Sequence, residues 1–262
     1  MFISIIINTN NQNEFLGRAI LSCIKQDYYN YEIIISNLSK YRDINLENKY
    51  KKKVKFINLR EKFSHPTQNQ LFAIKEGLKY AKGKYIVFLD GDDYFLKNKL
   101  SYIAQHLKKK FLMDCPIIFD EYSKKKIGKI KVNQFKKNFL YKLFINNWPS
   151  ISCTSGISIE KKILENFFKE TNPFIWKNLA IDIQLSIYVN LRYKIHYIKK
   201  NLTYKSDNKK NLDKTYASCF TKKFWIRRME QHKFNLMINK KIKFKGFDYY
   251  LTILIIFLLN IR

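Results

Sequence analysis

Lys82-Gly83-Lys84-Tyr85-Ile86-Val87-Phe88-Leu89-Asp90-Gly91-Asp92-Asp93 joins an apolar run to an acidic turn. Tyr85 to Leu89 is an apolar run of strand length, rich in residues that favour β-structure, and a run without polar alternation fits a strand covered on both faces. Open α/β sheets contain such strands and bind their ligands at the carboxyl ends. Three carboxylates, Asp90, Asp92 and Asp93, stand at that end. In a chain with 50 basic and 21 acidic residues, acids so closely packed point to a cation that holds them together. A hard divalent ion, Mg²⁺ or Mn²⁺, takes oxygen ligands and keeps coordination positions open for phosphates. The competing reading is a solvated turn in which Asp-Gly-Asp-Asp merely ends the strand.

Working outward, Phe2–Ile7 reads as a buried strand and Asn8–Asn13 as the polar loop after it. Leu16, Ile20, Cys23 and Ile24 fall on one helical face, and Glu32–Ile35 is a second strand. This strand, loop, helix, strand order is a crossover unit, which is nearly always right-handed and parallel. Val54–Ile57 follows as a third strand. Leu71, Ile74, Leu78 and Ala81 are spaced to face the sheet, with Gly83 as the stop before the central strand. The expected fold is α/β: a doubly wound, mostly parallel sheet, a smaller subregion after it and a C-terminal helical tail. Later elements are a helix carrying Leu100, Ile103 and Leu107, strands at Ile117–Glu121 and Ile127–Ile130, and a short helix at Phe139–Ile145. Leu202–Leu212 reads as a loop, and Tyr216 to Met237 as a long helix.

At 262 residues with 46% hydrophobic content, the chain suits one folded α/β domain with an appendage. Its formal charge of +29 attracts phosphates, anionic lipid or nucleic acid alike. The lysines are scattered along the whole chain, as lysine-rich residue usage alone would leave them. No nucleic-acid motif with interleaved aromatics occurs, so no nucleic-acid partner is expected. Cys23, Cys115, Cys153 and Cys219 lie too far apart to suggest a zinc site or a disulfide framework. With no basic leader and an apolar run too short for a signal peptide, the expectation is a cytoplasmic protein. Near the C-terminus Lys240, Lys241, Lys243 and Lys245 precede an apolar segment, Tyr249 to Leu259, shorter than the roughly 20 residues that span a bilayer. It fits an interfacial anchor on the anionic inner face of the cytoplasmic membrane, or equally a helix packed on the domain or on a partner subunit.

Ala73-Ile74-Lys75-Glu76-Gly77, then Ala81-Lys82-Gly83-Lys84-Tyr85-Ile86, then Phe88-Leu89-Asp90-Gly91-Asp92-Asp93 resemble the nucleotide-sugar half of the family 2 glycosyltransferases, which have the GT-A fold. Ser4–Asn11, Ala19–Asp27 and Glu32–Ile35 are similar to that family's opening elements, so the likeness covers about the first hundred residues. It implies transfer of a sugar from a nucleoside-diphosphate donor to an acceptor hydroxyl, with inversion, dependent on Mn²⁺ or Mg²⁺. The acceptor would be a saccharide or lipid-linked saccharide of a bacterial surface polysaccharide or lipopolysaccharide. The resemblance divides the chain into a donor half (1–100), an acceptor-side half (101–212) and a tail (213–262).

By the same resemblance Asp90 contacts the donor's ribose or sugar, Asp92 binds the metal with Asp93 in support, and Thr9 and Asn37 face the nucleotide. Asp182 is the catalytic base at the start of a helix; on residue type alone it is equally a first-turn acid favoured by the macrodipole. Lys75, where asparagine is common, would add a phosphate contact or only a surface charge, and Arg227 and Arg228 would grip the leaving diphosphate, unless they form the solvated face of a basic helix. Trp148, Thr154 and Ser155 are candidates for an acceptor platform, a buried tryptophan being the commoner fate. The chain departs from the family in having Asn8 and Asn10 in the first loop, Asn37 where aspartate is common, and Ile181 where a partner acid precedes the base. The missing partner acid and Asn37 keep open a relative that binds nucleotide-sugar without turnover, and the charge alone keeps open a basic membrane-surface protein.

Overall fold

The computed structural model describes residues 1–106, 108–132, 148–208, 212–216, 218–240 and 245–260. The expected helix at Phe139–Ile145 lies outside these, as do Leu107, Lys241 and Lys243.

The chain begins β1 (Ile3–Thr9), α1 (Asn13–Ile24), β2 (Tyr31–Asn37), α2 (Ile44–Tyr50), β3 (Lys55–Asn58), α3 (Pro66–Tyr80), β4 (Tyr85–Asp90). β1 pairs in parallel with β2 on one side and with β4 on the other, and β2 pairs in parallel with β3. Every residue of β1 is buried, as a central strand covered on both faces requires. Successive side chains alternate between two cores. Ile5, Ile7, Val87 and Leu89 pack with Leu16 and Ile20 of α1, while Ile6, Ile34, Ile86 and Phe88 pack with Leu71 and Ile74 of α3. Gly83 lies just ahead of β4 and past the end of α3, which closes at Ala81. A Cβ there would sit 2.4 Å from the Ser4 backbone nitrogen, so this glycine serves the close approach of β4 to β1.

The second part of the chain continues the same sheet. β5 (Tyr94–Phe95) and α4 (Lys99–Gln105) lead to β6 (Phe111–Met113), β7 (Ile117–Asp120), β8 (Lys125–Lys129) and β9 (Ile157–Glu160). Then come α5 (Lys161–Glu170), α6 (Ile181–Arg192), β10 (His196–Tyr197), β11 (Thr203–Asp207), α7 (Lys222–Ile238) and α8 (Phe247–Asn260). Among the described residues the large sheet runs β10-β6-β9-β4-β1-β2-β3, parallel apart from β9, and a small sheet runs β5-β11-β7-β8. The stretch expected as a loop at Leu202–Leu212 therefore holds a strand. Thr203-Tyr204-Lys205-Ser206-Asp207 lacks apolar alternation, but it fills the gap between β5 and β7 and finds backbone partners on both. The long helix starts six residues later than expected, at Lys222, where Thr221 accepts a hydrogen bond from the Phe224 backbone.

Because β2 and β3 lie on one side of β1 and β4 on the other, the loops leaving β1 and β4 diverge and open a crevice at their carboxyl ends.

Candidate active site

The crevice is a cleft of about 230 Å³. Its walls include Thr9 and Asn10 from the loop after β1, Gln70 from α3, Asp90, Asp92 and Asp93 from the loop after β4, Thr154, Asp182 from α6 and Lys205 from β11. The loop after β1 is tied to the loop after β2. Asn11 adopts a left-handed backbone, φ 54°, its amide donates to Ser39 Oγ and its side chain accepts from the Lys40 amide. Asparagine tolerates that conformation better than other L-residues.

Each carboxylate of the acidic loop is held by neutral groups. Asp90 Oδ1 accepts from Asn8 Nδ2 at 2.7 Å and Gln70 Nε2 at 3.0 Å. Asp92 Oδ2 accepts from Asn208 Nδ2 at 2.8 Å. Asp93 accepts from Ser155 Oγ at 2.5 Å and from the Ser206 amide at 2.8 Å, so it is locked into the protein. Gly91 lets the loop turn tightly, since a Cβ there would lie 2.5 Å from Thr9 Oγ1. Burial, and then the neighbouring Asp92 charge, push Asp90 up to about 7. Burial raises Asp92 and raises Asp93 well above the usual carboxylate range. Three acids that resist ionisation in one cleft are short of positive charge, which fits a divalent cation. Among the described residues no three acid, histidine or cysteine side chains converge as a closed metal cage. Mg²⁺ and Mn²⁺ need only one or two carboxylates when phosphate oxygens supply the rest.

Asp182 sits in the first turn of α6, where its Oδ1 accepts from the Ile183 amide at 2.8 Å and the positive end of the helix favours its charge. It faces the acidic loop closely enough for its charge to contribute to raising Asp90. The structure thus brings Thr9, Asp90, Asp92, Asp93, Thr154 and Asp182 into one cleft.

Other expected site residues lie elsewhere. The Asn37 side chain turns back to accept from the Ser39 amide, leaving Leu38 to form the wall. Lys75 points its ammonium over the Phe174 ring, 5.3 Å from the centroid, because it sits more than a helical turn beyond Gln70, the α3 residue that reaches the cleft. Ser155 is fully buried, bridging the Asp90 amide and the Asp93 carboxylate, so it orders the acidic loop instead of meeting an acceptor. Trp148 donates to Asp248 and packs edge-on to His232, away from the cleft. Arg227 and Arg228 line a neighbouring cleft that shares Cys153, Asp182 and Lys205 with the first. Lys205, Gln70 and Asn208 escaped the sequence reading: in a chain this rich in lysine and asparagine, only the register of β11 and the face of α3 single them out.

The sequence profile described as "Glycosyl transferase family 2" matches residues 4–168. The chain belongs to this family. An uncharacterized glycosyltransferase of Rickettsia bellii is 29% identical over 188 residues, 68% of this chain and 26% of its own length. The GalNAc(5)-diNAcBac-PP-undecaprenol beta-1,3-glucosyltransferase of Campylobacter jejuni is 28% identical over 209 residues, 75% of this chain and 64% of its own. The chain therefore spans less than two thirds of either relative. The crystal structure of S. aureus TarS 1-349 in complex with UDP superposes with a TM-score of 0.62 at 16% identity, over 98% of this chain and 70% of that one. That likeness establishes the GT-A fold for this glycosyltransferase-family chain.

Proposed function

We propose that the chain is an inverting glycosyltransferase that moves a sugar from a nucleoside-diphosphate donor, a uridine diphosphate sugar by analogy with TarS, to an acceptor hydroxyl. The acceptor is a saccharide or lipid-linked saccharide in the synthesis of a bacterial surface polysaccharide or lipopolysaccharide, as the name of the Campylobacter jejuni relative suggests. The observation that carries the reading is that Asp182, at a helix start, lines the same cleft as Asp90, Asp92 and Asp93. A proton acceptor and a cation-seeking acidic loop are the two halves of a displacement at a sugar carbon.

Residues 1–100 hold the donor, residues 101–212 frame the acceptor side, and residues 213–262 form the tail. Thr9 and the loop after β1 cradle the nucleotide, and Asp90 takes a donor hydroxyl. Asp92 would hold Mn²⁺ or Mg²⁺, with Asp93 bracing the loop behind it, and such an ion would supply neutralisation of charge on the donor's diphosphate. Lys205 offers a second cation to the leaving group. The acceptor oxygen attacks the anomeric carbon as the bond to the diphosphate breaks. Its proton passes to Asp182 and the electron pair departs with the nucleotide. Attack from the face opposite the leaving group inverts the centre.

One departure favours a second reading, a nucleotide-sugar binder without turnover. Ile181 is buried where a partner acid is common in the family, so no second carboxylate precedes Asp182 on α6. Release of UDP from UDP-sugars with Mn²⁺ separates the two. The wild type is expected to hydrolyse at least one donor slowly, and Asp182→Asn to lower that rate by about 10²–10⁴-fold. Donor binding without any hydrolysis in the wild type would select the binder.

A further inference from the structure

The second cleft, about 320 Å³, shares Cys153, Asp182 and Lys205 with the donor cleft, yet the two have opposite charge. The donor cleft is lined by Asp90, Asp92, Asp93 and Asp182 against Lys205, so an anion enters it best in company with a cation. The second is lined by Lys205, Arg227 and Arg228, and Asp182 is the one acid among its lining residues. It attracts an anion by itself. Both arginines are oriented: Arg227 stacks its guanidinium over the Tyr216 ring, 4.5 Å from the centroid, and Arg228 pairs with Asp248 of α8 at 3.2 Å. Such fixed guanidinium planes suit phosphate oxygens, which they grip two at a time. Ile130, Ile151 and Phe224 add apolar surface.

We propose that this second cleft is a phosphate subsite for the acceptor. It takes the phosphate or diphosphate that an acceptor saccharide carries and so presents the acceptor's hydroxyl to Asp182. The assignment rests on the glycosyltransferase reading above and adds the acceptor's chemical class to it. Arg227 and Arg228 act on the acceptor's anion without metal, while the donor's anion requires one. Two sources share this chemistry. A lipid diphosphate would lay its chain on the apolar wall, whereas a phosphate within a polymer has no apolar arm to place there.

Calorimetric titration of the full chain in EDTA with inorganic pyrophosphate and with farnesyl diphosphate tests this. Gln231 lines the same cleft beside the arginines; both probes are expected to bind without metal, and Arg227→Gln and Gln231→Glu each to weaken them about tenfold. Arg227→Gln leaves the Arg228 pair with Asp248 in place, Gln231→Glu leaves both arginines in place, and an unchanged melting midpoint in each variant checks that the fold is kept. Tighter binding of farnesyl diphosphate, lost in Phe224→Ala, supports a lipid-linked acceptor; equal affinity of the two probes supports a polymer phosphate. No binding in EDTA, or binding undiminished in both charge variants, overturns the subsite. Stabilisation of the wild type by UDP with Mn²⁺, recorded in parallel, reports on the donor cleft separately. UDP stabilisation without diphosphate binding therefore overturns this inference alone, whereas the loss of UDP stabilisation counts against the glycosyltransferase reading.

Discussion

Lys99 is fully buried, and its ammonium spends all three donors inside the protein: on Asp114 Oδ2 at 2.8 Å, the Ser155 carbonyl at 2.6 Å and Thr203 Oγ1 at 2.7 Å. Ser155 in turn holds Asp93 and the Asp90 amide, so the ammonium underpins the acidic loop from behind. Burial raises Asp114 even with Lys99 beside it. Lys99→Met, which leaves that acid without its cation, is expected to cost about 3–5 kcal/mol in urea unfolding, and adding Asp114→Leu to recover part of the loss. An equal or larger loss in the double variant would mean that the pair's role is packing alone. Single residues were legible in the sequence where they ran against the composition. Aspartates crowded together in a basic chain stand out, whereas Asp182 was singled out only by its match to the family's pattern. Lys99 and Lys205 do not, because a lysine inside the protein reads like the many outside it. The hydroxyls of Thr154 and Ser155 were visible as a cluster, but which of them faces the cleft depends on the turn that carries them.

Among elements, β1 and β4 were readable because burial on both faces leaves unbroken apolar runs, whereas β11 was not, being polar and held by its neighbours' edges. α8 is turned inside out. It buries Asp248 and Thr252 against α7 and exposes more than half the surface of Tyr250, Leu254, Phe257 and Leu258. At 14 residues it is about 21 Å long, and no described helix is long and apolar enough to cross a membrane. An apolar outer face beside exposed Lys240 and Lys245 suits an anionic bilayer surface. The double substitution Leu254→Glu, Phe257→Glu is expected to lower binding to phosphatidylglycerol vesicles at least tenfold without shifting the melting midpoint, since both side chains already face solvent; unchanged binding would exclude α8 as the contact. The contact of α8 with α7 also titrates. His232 is buried between Asp248, 3.6 Å away, Arg228, Thr252 and the rings of Trp148 and Tyr249, and burial lowers it from 6.5 to about 4. Between those values the unfolded chain holds a proton that the folded chain does not, so this group's contribution to stability is full above pH 6.5 and falls towards pH 4 by up to about 3 kcal/mol. The raised acids of the loop after β4 push the other way, so the contribution is read as the difference between wild type and His232→Asn in urea melts at pH 4.5, 5.5 and 7.5. That difference is expected to shrink as pH falls; a constant gap would contradict the account.

For the molecule as a whole, the crossover pattern of the first hundred residues was enough to expect a doubly wound sheet with its ligand at the ends of β1 and β4. The later strands were not foreseen as parts of that sheet, because β6, β9 and β10 are two to four residues long and owe their pairing to the edge already formed. The net charge of +29 gave little direction by itself. Folding sorts that charge into an acidic cleft and a basic one that meet at Asp182 and Lys205. In the proposed reading the acidic cleft binds a nucleotide-sugar through a cation held by Asp92. Thermal unfolding with UDP-, GDP- and dTDP-sugars, each with and without Mn²⁺, on wild type and Asp92→Ala, tests it most directly. One nucleotide class is expected to raise the melting midpoint only with Mn²⁺, and Asp92→Ala to abolish the shift. A shift of the same size without metal, or one retained in Asp92→Ala, would contradict it.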